Sequence, residues 1–216
     1  RWLDGTEVLV VSATGPLREV PFAMLRWNDR YAIERFAVAS VTNVASLSRQ
    51  EPAFDLSPRE VLLVGNPDGT LPGAEDEVGE LQQRLPGASA LVGPQGTRDA
   101  VTTRMQGKKV VHLATHGRID RDRPVDSYLA LSGDEDTGRL SYQEIPGLAG
   151  LLSDCRLVVL SACQSGVAVE GKDAGDGGIV VSINGLAAQF RRAGVETLVA
   201  SLWSVDDEGT RRLMTG

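Results

Sequence analysis

Short runs of apolar residues alternate with helical patterns along the chain from about residue 59 to its end. The runs are almost uninterrupted, which is typical of strands that are buried on both faces. The pattern predicts an α/β fold with a mostly parallel central sheet and helices on both of its faces. The predicted strands are residues 60–67 (ending in a turn), 89–92, 110–117, 128–131, 157–163 and 196–203. The predicted helices are residues 74–85, 97–105 with Thr97 as N-cap, 180–193, and one that begins at about residue 206.

The first part of the chain has a different character. Residues 7–11 and 32–41 have β-like patterns, and residues 42–47 could open a short helix. We therefore expect residues 1–50 to form an N-terminal β-rich part and residues 51–216 an α/β catalytic core, together one functional domain. The chain starts at Arg1 and stops inside a helical pattern, so we expect a piece of a longer protein.

Composition narrows the possible partners. The 216 residues are 42% hydrophobic and carry a net charge of -7 with no long basic run, which disfavours nucleic-acid binding. No apolar stretch is long enough to span a bilayer, and no signal peptide is visible, so no membrane partner is expected. The two cysteines, Cys155 and Cys163, lie roughly 26 Å apart at the ends of one predicted strand, too far for a disulfide. A reducing compartment, the cytoplasm, is the natural interpretation.

Two of the predicted strands end in residues that can carry chemistry. One ends at His116-Gly117 and the other at Cys163, beside small residues. If these strands are parallel neighbours, an imidazole and a thiol meet at one carboxyl edge of the sheet, where open α/β sheets place their ligands. That pair is the minimum for a cysteine nucleophile, and backbone N–H groups of Gly117 and Cys163 could stabilise an oxyanion. The alternative is that the thiol is only a small apolar side chain and the histidine an ordinary polar one.

Other candidate sites are weaker. His112 lies inside its strand, about 13 Å from His116, so one thiol cannot contact both and His116 is the better base. The cysteines and histidines lack zinc-site spacing, residues 173–177 are not an EF-hand loop, and residues 65–69 predict a turn rather than a phosphate loop. Neither a metal nor a cofactor is expected.

Five segments spread along the chain carry a family resemblance. In order they are residues 20–25, 33–38, 112–117, 158–166 and 199–207. With these segments the chain resembles the CHAT domains, caspase-like peptidase domains often found beside TPR repeats. The resemblance implies a caspase-like fold, His116 as catalytic base, Cys163 as nucleophile and the Gly117 N–H in the oxyanion hole. It requires no third catalytic residue, and it implies further helices after residues 206–207.

The substrate pocket is less well defined. The residue two positions before the nucleophile is Gln in caspases and Asp in metacaspases, whereas this chain has Ser161, so neither preference can be carried over. One hypothesis is that Asp126, in the acidic loop after His116, attracts a basic P1 side chain; the alternative is a solvated loop residue. Leu202 and Trp203 fit a groove wall, or simple edge packing. The Gly/Asp-rich residues 169–178 predict an extended, mobile loop beside the site.

Three functions remain open from the sequence. The resemblance favours a regulated cysteine endopeptidase that forms a thioester acyl-enzyme and is activated by an attached TPR or sensor region. Its protein substrates would be gasdermin-like or other effectors of bacterial defence. The alternatives are a non-catalytic caspase-like interaction module and a thiol acyltransferase or hydrolase acting on a small molecule.

Overall fold

A computed structural model describes residues 3–14, 17, 20–27, 29–41, 55–120, 123–161, 183–200 and 207–216. The chain divides into two compact units, Arg1–Asp55 and Leu56–Gly216. In the described residues the strands are β1 (Val8–Val11), β2 (Arg26–Trp27), β3 (Arg30–Tyr31), β4 (Ala37–Ser40), β5 (Val61–Gly65), β6 (Ser89–Val92), β7 (Val110–Ala114), β8 (Gly117–Arg118), β9 (Tyr128–Ala130), β10 (Arg139–Ser141), β11 (Leu157–Leu160) and β12 (Thr197–Ala200). The α-helices are α1 (Pro72–Arg84), α2 (Arg98–Met105), α3 (Ile183–Arg192) and α4 (Asp207–Thr215).

The central sheet of the second unit has the strand order β12-β11-β7-β5-β6, and every neighbouring pair is parallel. All five carboxyl ends therefore lie at the same edge. Strands β8, β9 and β10 form a small antiparallel sheet of their own, which begins just after β7.

Helices cover both faces of the central sheet. Because side chains alternate along a strand, Val111 and Leu113 of β7 face one core, which also contains apolar residues of α2 and α3. Val110 and Ala114 face the other core, which contains apolar residues of α1. Helix α4 packs against α1 on that same side. The predicted α/β fold with a parallel sheet and two helical layers is confirmed.

Helix α1 lies very close to the sheet at the end of β5. A Cβ atom on Gly65 would come within 2.8 Å of the Ala74 carbonyl oxygen and of Val78 Cγ2, so only glycine fits there. The first turn of α1 has no side-chain cap from its own segment. Instead, Gly73 N–H donates to Asp207 Oδ2, 2.9 Å away on α4. The α4 helix therefore stabilises the amino end of the helix that flanks the candidate site.

The described residues of the N-terminal unit include four short strands, as the β-rich pattern predicts. Strands β1 and β4 pair in parallel, and β2 and β3 form an antiparallel pair. The prediction of one strand over residues 32–41 is wrong in its first part, because Ala32–Glu34 form a 3-10 turn. That turn is stabilised by the Glu34 carboxylate, which accepts a hydrogen bond from Tyr31 N–H at 2.6 Å. The helix suggested for residues 42–47 lies outside the described residues.

Within the described residues, the other predicted elements lie within a few residues of the observed ones, and the predicted element ends at residues 162–163, 180–182 and 201–203 lie outside the described residues. Thr97 caps α2, since its hydroxyl oxygen accepts from Ala100 N–H. Gly194 follows α3 with φ of 100°, as expected of a glycine just past a helix end. No helix in the described part of the chain is long and apolar enough to cross a membrane.

Candidate active site

The two strands that carry the predicted dyad are direct neighbours. Strands β7 and β11 are parallel, with Leu113 paired to Leu160. His116 lies two residues beyond the end of β7, and Ser161 directly follows β11. The strand arrangement that the dyad requires is therefore present. Cys163 itself lies outside the described residues.

His116 is almost fully buried, with 4% of its surface exposed. Its Nε2 atom lies 2.9 Å from Thr70 Oγ1, whereas its buried Nδ1 atom has no hydrogen-bond partner in the described part of the structure. Burial is the main cause that lowers the pKa of His116, and Arg118 lowers it further, while Asp68 and Asp207 oppose the shift. The neutral imidazole is therefore favoured, which is the form that can accept a proton.

The loop after β5 holds Thr70 beside the imidazole. Asn66, with φ of 49°, donates its N–H to the Ala114 carbonyl at the end of β7 and accepts the Leu71 N–H on its side-chain oxygen at 2.7 Å. Asp68 Oδ1 accepts both the hydroxyl and the N–H of Thr70, at 2.8 and 3.2 Å. The loop is thus tied to the strand that leads to His116.

Sequence reasoning recognised a turn at residues 65–69 but missed Thr70. Thr70 could have been identified from the strand order, because a loop that leaves the carboxyl end of a strand next to β7 must pass close to the candidate site.

Gly117 presents its amide away from the small antiparallel sheet. It is paired with Leu129 across β8 and β9, while Ala130 N–H donates to the His116 carbonyl at 2.8 Å. That hydrogen bond makes Gly117 and Leu129 a non-hydrogen-bonded pair, in which the N–H groups point outwards from the ladder. The Gly117 N–H is therefore not used by β9, as an oxyanion donor requires.

The buried carboxylate of Glu77 contacts side chains on both strands that lead to the predicted dyad, one on β7 and one directly after β11. Glu77 of α1 is 2% exposed, and its Oε1 lies 2.5 Å from His112 Nε2 of β7. Its other oxygen accepts the hydroxyl of Ser161 at 2.9 Å. His112 is thus a satisfied polar residue of the core. Ser161, predicted to line the substrate pocket, has its hydroxyl committed to Glu77.

Glu77 was another residue that sequence reasoning missed. It lies three positions after Ala74 and directly before Val78, so it flanks the apolar face of α1. A charged residue there, together with a histidine inside an apolar strand, was the available signal for a buried pair.

Of the remaining residues predicted for the substrate pocket, Asp126 lies in the described part of the chain. Asp126 ends a 3-10 turn and pairs with Arg123 Nε at 2.9 Å, with both side chains well exposed. Leu202 and Trp203 lie outside the described residues. No group of three or more potential metal ligands occurs in the described segments.

Cys155 is buried and has a raised pKa, whereas a nucleophilic cysteine needs an accessible thiol with a lowered pKa. It is buried in the core that α2 and α3 share with the sheet, and burial raises its pKa to about 11. A thiol with such a pKa is inert at neutral pH.

Comparisons with known proteins agree with this architecture. A family model of the CHAT domain matches residues 1–216, the whole chain. Human tetratricopeptide repeat protein 28 is 30% identical over an alignment that covers 50% of this chain and 5% of the human protein. The mouse protein of the same name gives the same identity and coverage. The chain thus spans about a twentieth of the length of these relatives. CHAT domains fall within the caspase-like cysteine peptidase clan and are linked to TPR proteins, and this chain belongs to the CHAT domain family.

Proposed function

We propose that the chain is the catalytic domain of a regulated cysteine endopeptidase, with Cys163 as nucleophile and His116 as base. The observation that carries this proposal is the register of β7 and β11. Paired residues in these strands are 47 positions apart in sequence, as Leu113 and Leu160 are. Cys163 and His116 have the same separation, and neighbouring strands lie about 4.8 Å apart.

The proposed chemistry uses groups that the edge of the sheet supplies. The neutral imidazole of His116 takes the proton of the Cys163 thiol, and the thiolate attacks the scissile carbonyl. The outward N–H of Gly117, with that of Cys163, stabilises the oxyanion. As the C–N bond breaks, the protonated imidazole gives its proton to the departing amine and a thioester remains. Water then hydrolyses the thioester, with His116 again accepting a proton.

The substrate pocket in this proposal is formed by Ser161, Leu202 and Trp203. Asp126 is the proposed acid for a basic P1 side chain. Its pairing with Arg123 is a surface ion pair, worth about 0–1 kcal/mol, so a substrate cation could replace the arginine at little cost.

Regulation would come from outside the catalytic core. We propose a TPR or sensor region, in the same or an associated protein, as the activating partner. The TPR link is supported by the two relatives, both of which are tetratricopeptide repeat proteins. The substrates would be specific cytoplasmic proteins, with gasdermin-like effectors as one class to test. Within the one functional domain, residues 1–50 are the proposed β-rich part and residues 51–216 the proposed catalytic core.

The test is a cleavage assay with the full-length protein and the proteins encoded beside it. Cys163→Ala should abolish cleavage while binding is kept, and Cys155→Ala serves as the matched control because it removes a buried thiol away from the site. Sequencing of the new amino termini identifies P1. If cleavage is the same in wild type and Cys163→Ala, or absent in both while binding persists, the peptidase is refuted and a non-catalytic interaction module takes its place.

A further inference from the structure

We infer that Thr70, held by Asp68, is a positioning residue that fixes the tautomer of His116, with the proton on Nε2 and the lone pair on Nδ1. This inference rests on the proposed function, because it assigns which nitrogen of His116 acts as the base.

The directions of the hydrogen bonds at Thr70 determine which nitrogen of His116 carries the proton. A carboxylate can only accept, so the Thr70 hydroxyl proton is given to Asp68 Oδ1 at 2.8 Å. The Thr70 N–H donates to the same oxygen. With its proton committed, Thr70 Oγ1 can only accept from His116 Nε2, 2.9 Å away. The Nε2 atom must therefore carry the hydrogen.

The second nitrogen supports the same assignment. In a neutral imidazole with its proton on Nε2, the lone pair is on Nδ1. That atom is buried and has no hydrogen-bond partner in the part of the chain that the structure describes. An unpaired buried acceptor is costly, and sites that keep one commonly use it. Among the described residues, the nitrogen that a base needs is therefore the one without a partner.

The chain of hydrogen bonds also favours the charged form that catalysis produces. When Nδ1 takes a proton, the Nε2–H donor strengthens its bond to Thr70, which is polarised by the Asp68 carboxylate behind it. The arrangement resembles the orienting group of a catalytic triad in its role, with a threonine hydroxyl between the acid and the imidazole.

The position of Thr70 is well determined by its loop. Asn66 connects the start of this loop to the end of β7 and, through Leu71 N–H, to the start of α1. Thr70 itself is exposed, so removing its hydroxyl should leave the core intact.

The direct test is nitrogen NMR of the full-length protein labelled with ¹⁵N-histidine. The parent protein carries Cys163→Ala, so that no thiolate can convert His116 to the imidazolium, and His116→Gln assigns the signals. In the parent at neutral pH, His116 Nε2 should have the shift of a protonated nitrogen and Nδ1 that of an unprotonated one. Thr70→Ser should keep this pattern, whereas Thr70→Ala should move the two shifts towards each other as tautomers mix.

Asp68→Ala provides an independent variant. It frees the threonine proton to be donated to Nε2, which should increase the tautomer protonated on Nδ1. The ring signals of His112, bound to Glu77 in the core, report whether each variant remains folded. A parent with its proton on Nδ1, or a Thr70→Ala spectrum identical to the parent in a folded protein, would overturn the inference.

A second readout measures the consequence for the thiol. In protein that retains Cys163, Thr70→Ala should slow alkylation of Cys163 by iodoacetamide roughly three- to tenfold at neutral pH, and Thr70→Ser should restore it. An unchanged rate would overturn the positioning role. The NMR result needs no substrate, so it is independent of the cleavage assay: failure of that assay refutes the peptidase, and failure of the NMR test refutes only this role of Thr70.

Discussion

Removing the Glu77 carboxylate should destabilise the core more than any surface change. Glu77→Ala leaves the Nε2–H of His112 and the hydroxyl of Ser161 without their buried acceptor. Each unsatisfied buried donor costs about 1–3 kcal/mol. With two such donors left behind, we expect the free energy of unfolding to fall by about 2–6 kcal/mol. Glu77→Gln, which keeps one acceptor oxygen, should cost about 1–3 kcal/mol.

A triple variant separates the hydrogen bonds from simple packing. Glu77→Met, His112→Leu and Ser161→Ala together remove all three polar partners, so the triple variant should cost much less than the sum of the single changes. Urea unfolding followed by circular dichroism, with m-values compared, measures each step. Glu135→Ala, on an exposed loop, is the matched control and should change stability by less than about 0.5 kcal/mol. A cost below about 1 kcal/mol for Glu77→Ala, or additive costs in the triple variant, would refute this reasoning.

Two further predictions follow from the same face of the sheet. Asp207→Ala removes the acceptor for Gly73 N–H and should lower the free energy of unfolding by about 1 kcal/mol, and Asp207→Asn should cost less. Thermal melts of both variants measure this. Equal melting temperatures in Asp207→Ala and wild type would contradict the prediction. Burial lowers the pKa of His116 below its usual 6.5, so the unfolded chain binds more protons at this residue than the folded chain does. The contribution of His116 to the free energy of unfolding is therefore complete above pH 6.5. It is lost as the pH falls from 6.5 through the lowered pKa. His116→Gln should therefore flatten the loss of stability on acidification in urea titrations, and an unchanged slope would contradict the assignment.

Much of the fold could be predicted because its signals are local. Residues 60–67 and 110–117 are apolar runs whose burial on both faces specifies a parallel sheet, and the spacing at 74, 78, 81 and 85 gives α1 to within two residues. The error at Ala32–Glu34 arose because a capping carboxylate, Glu34, converted a β-like pattern into a tight turn.

The candidate site was only partly predictable, because its supporting contacts join distant segments. His116 and Gly117 are adjacent in sequence and were identified from one strand end. Thr70 contacts His116, 46 positions away. Glu77 contacts His112, 35 positions away, and Ser161, 84 positions away. Such contacts depend on strand order and helix placement, which hydrophobic periodicity does not specify.

The central claim is that His116 activates Cys163, and the pH dependence of thiol alkylation tests it most directly. The rate of iodoacetamide labelling at Cys163 is measured by mass spectrometry across pH in wild type and in His116→Ala, with the buried Cys155 as an internal reference whose pKa is about 11. The account predicts that Cys163 reacts well below pH 8.5, the ordinary thiol pKa, that Cys155 does not, and that His116→Ala moves the Cys163 profile back to about 8.5. Identical Cys163 profiles in wild type and His116→Ala would contradict it.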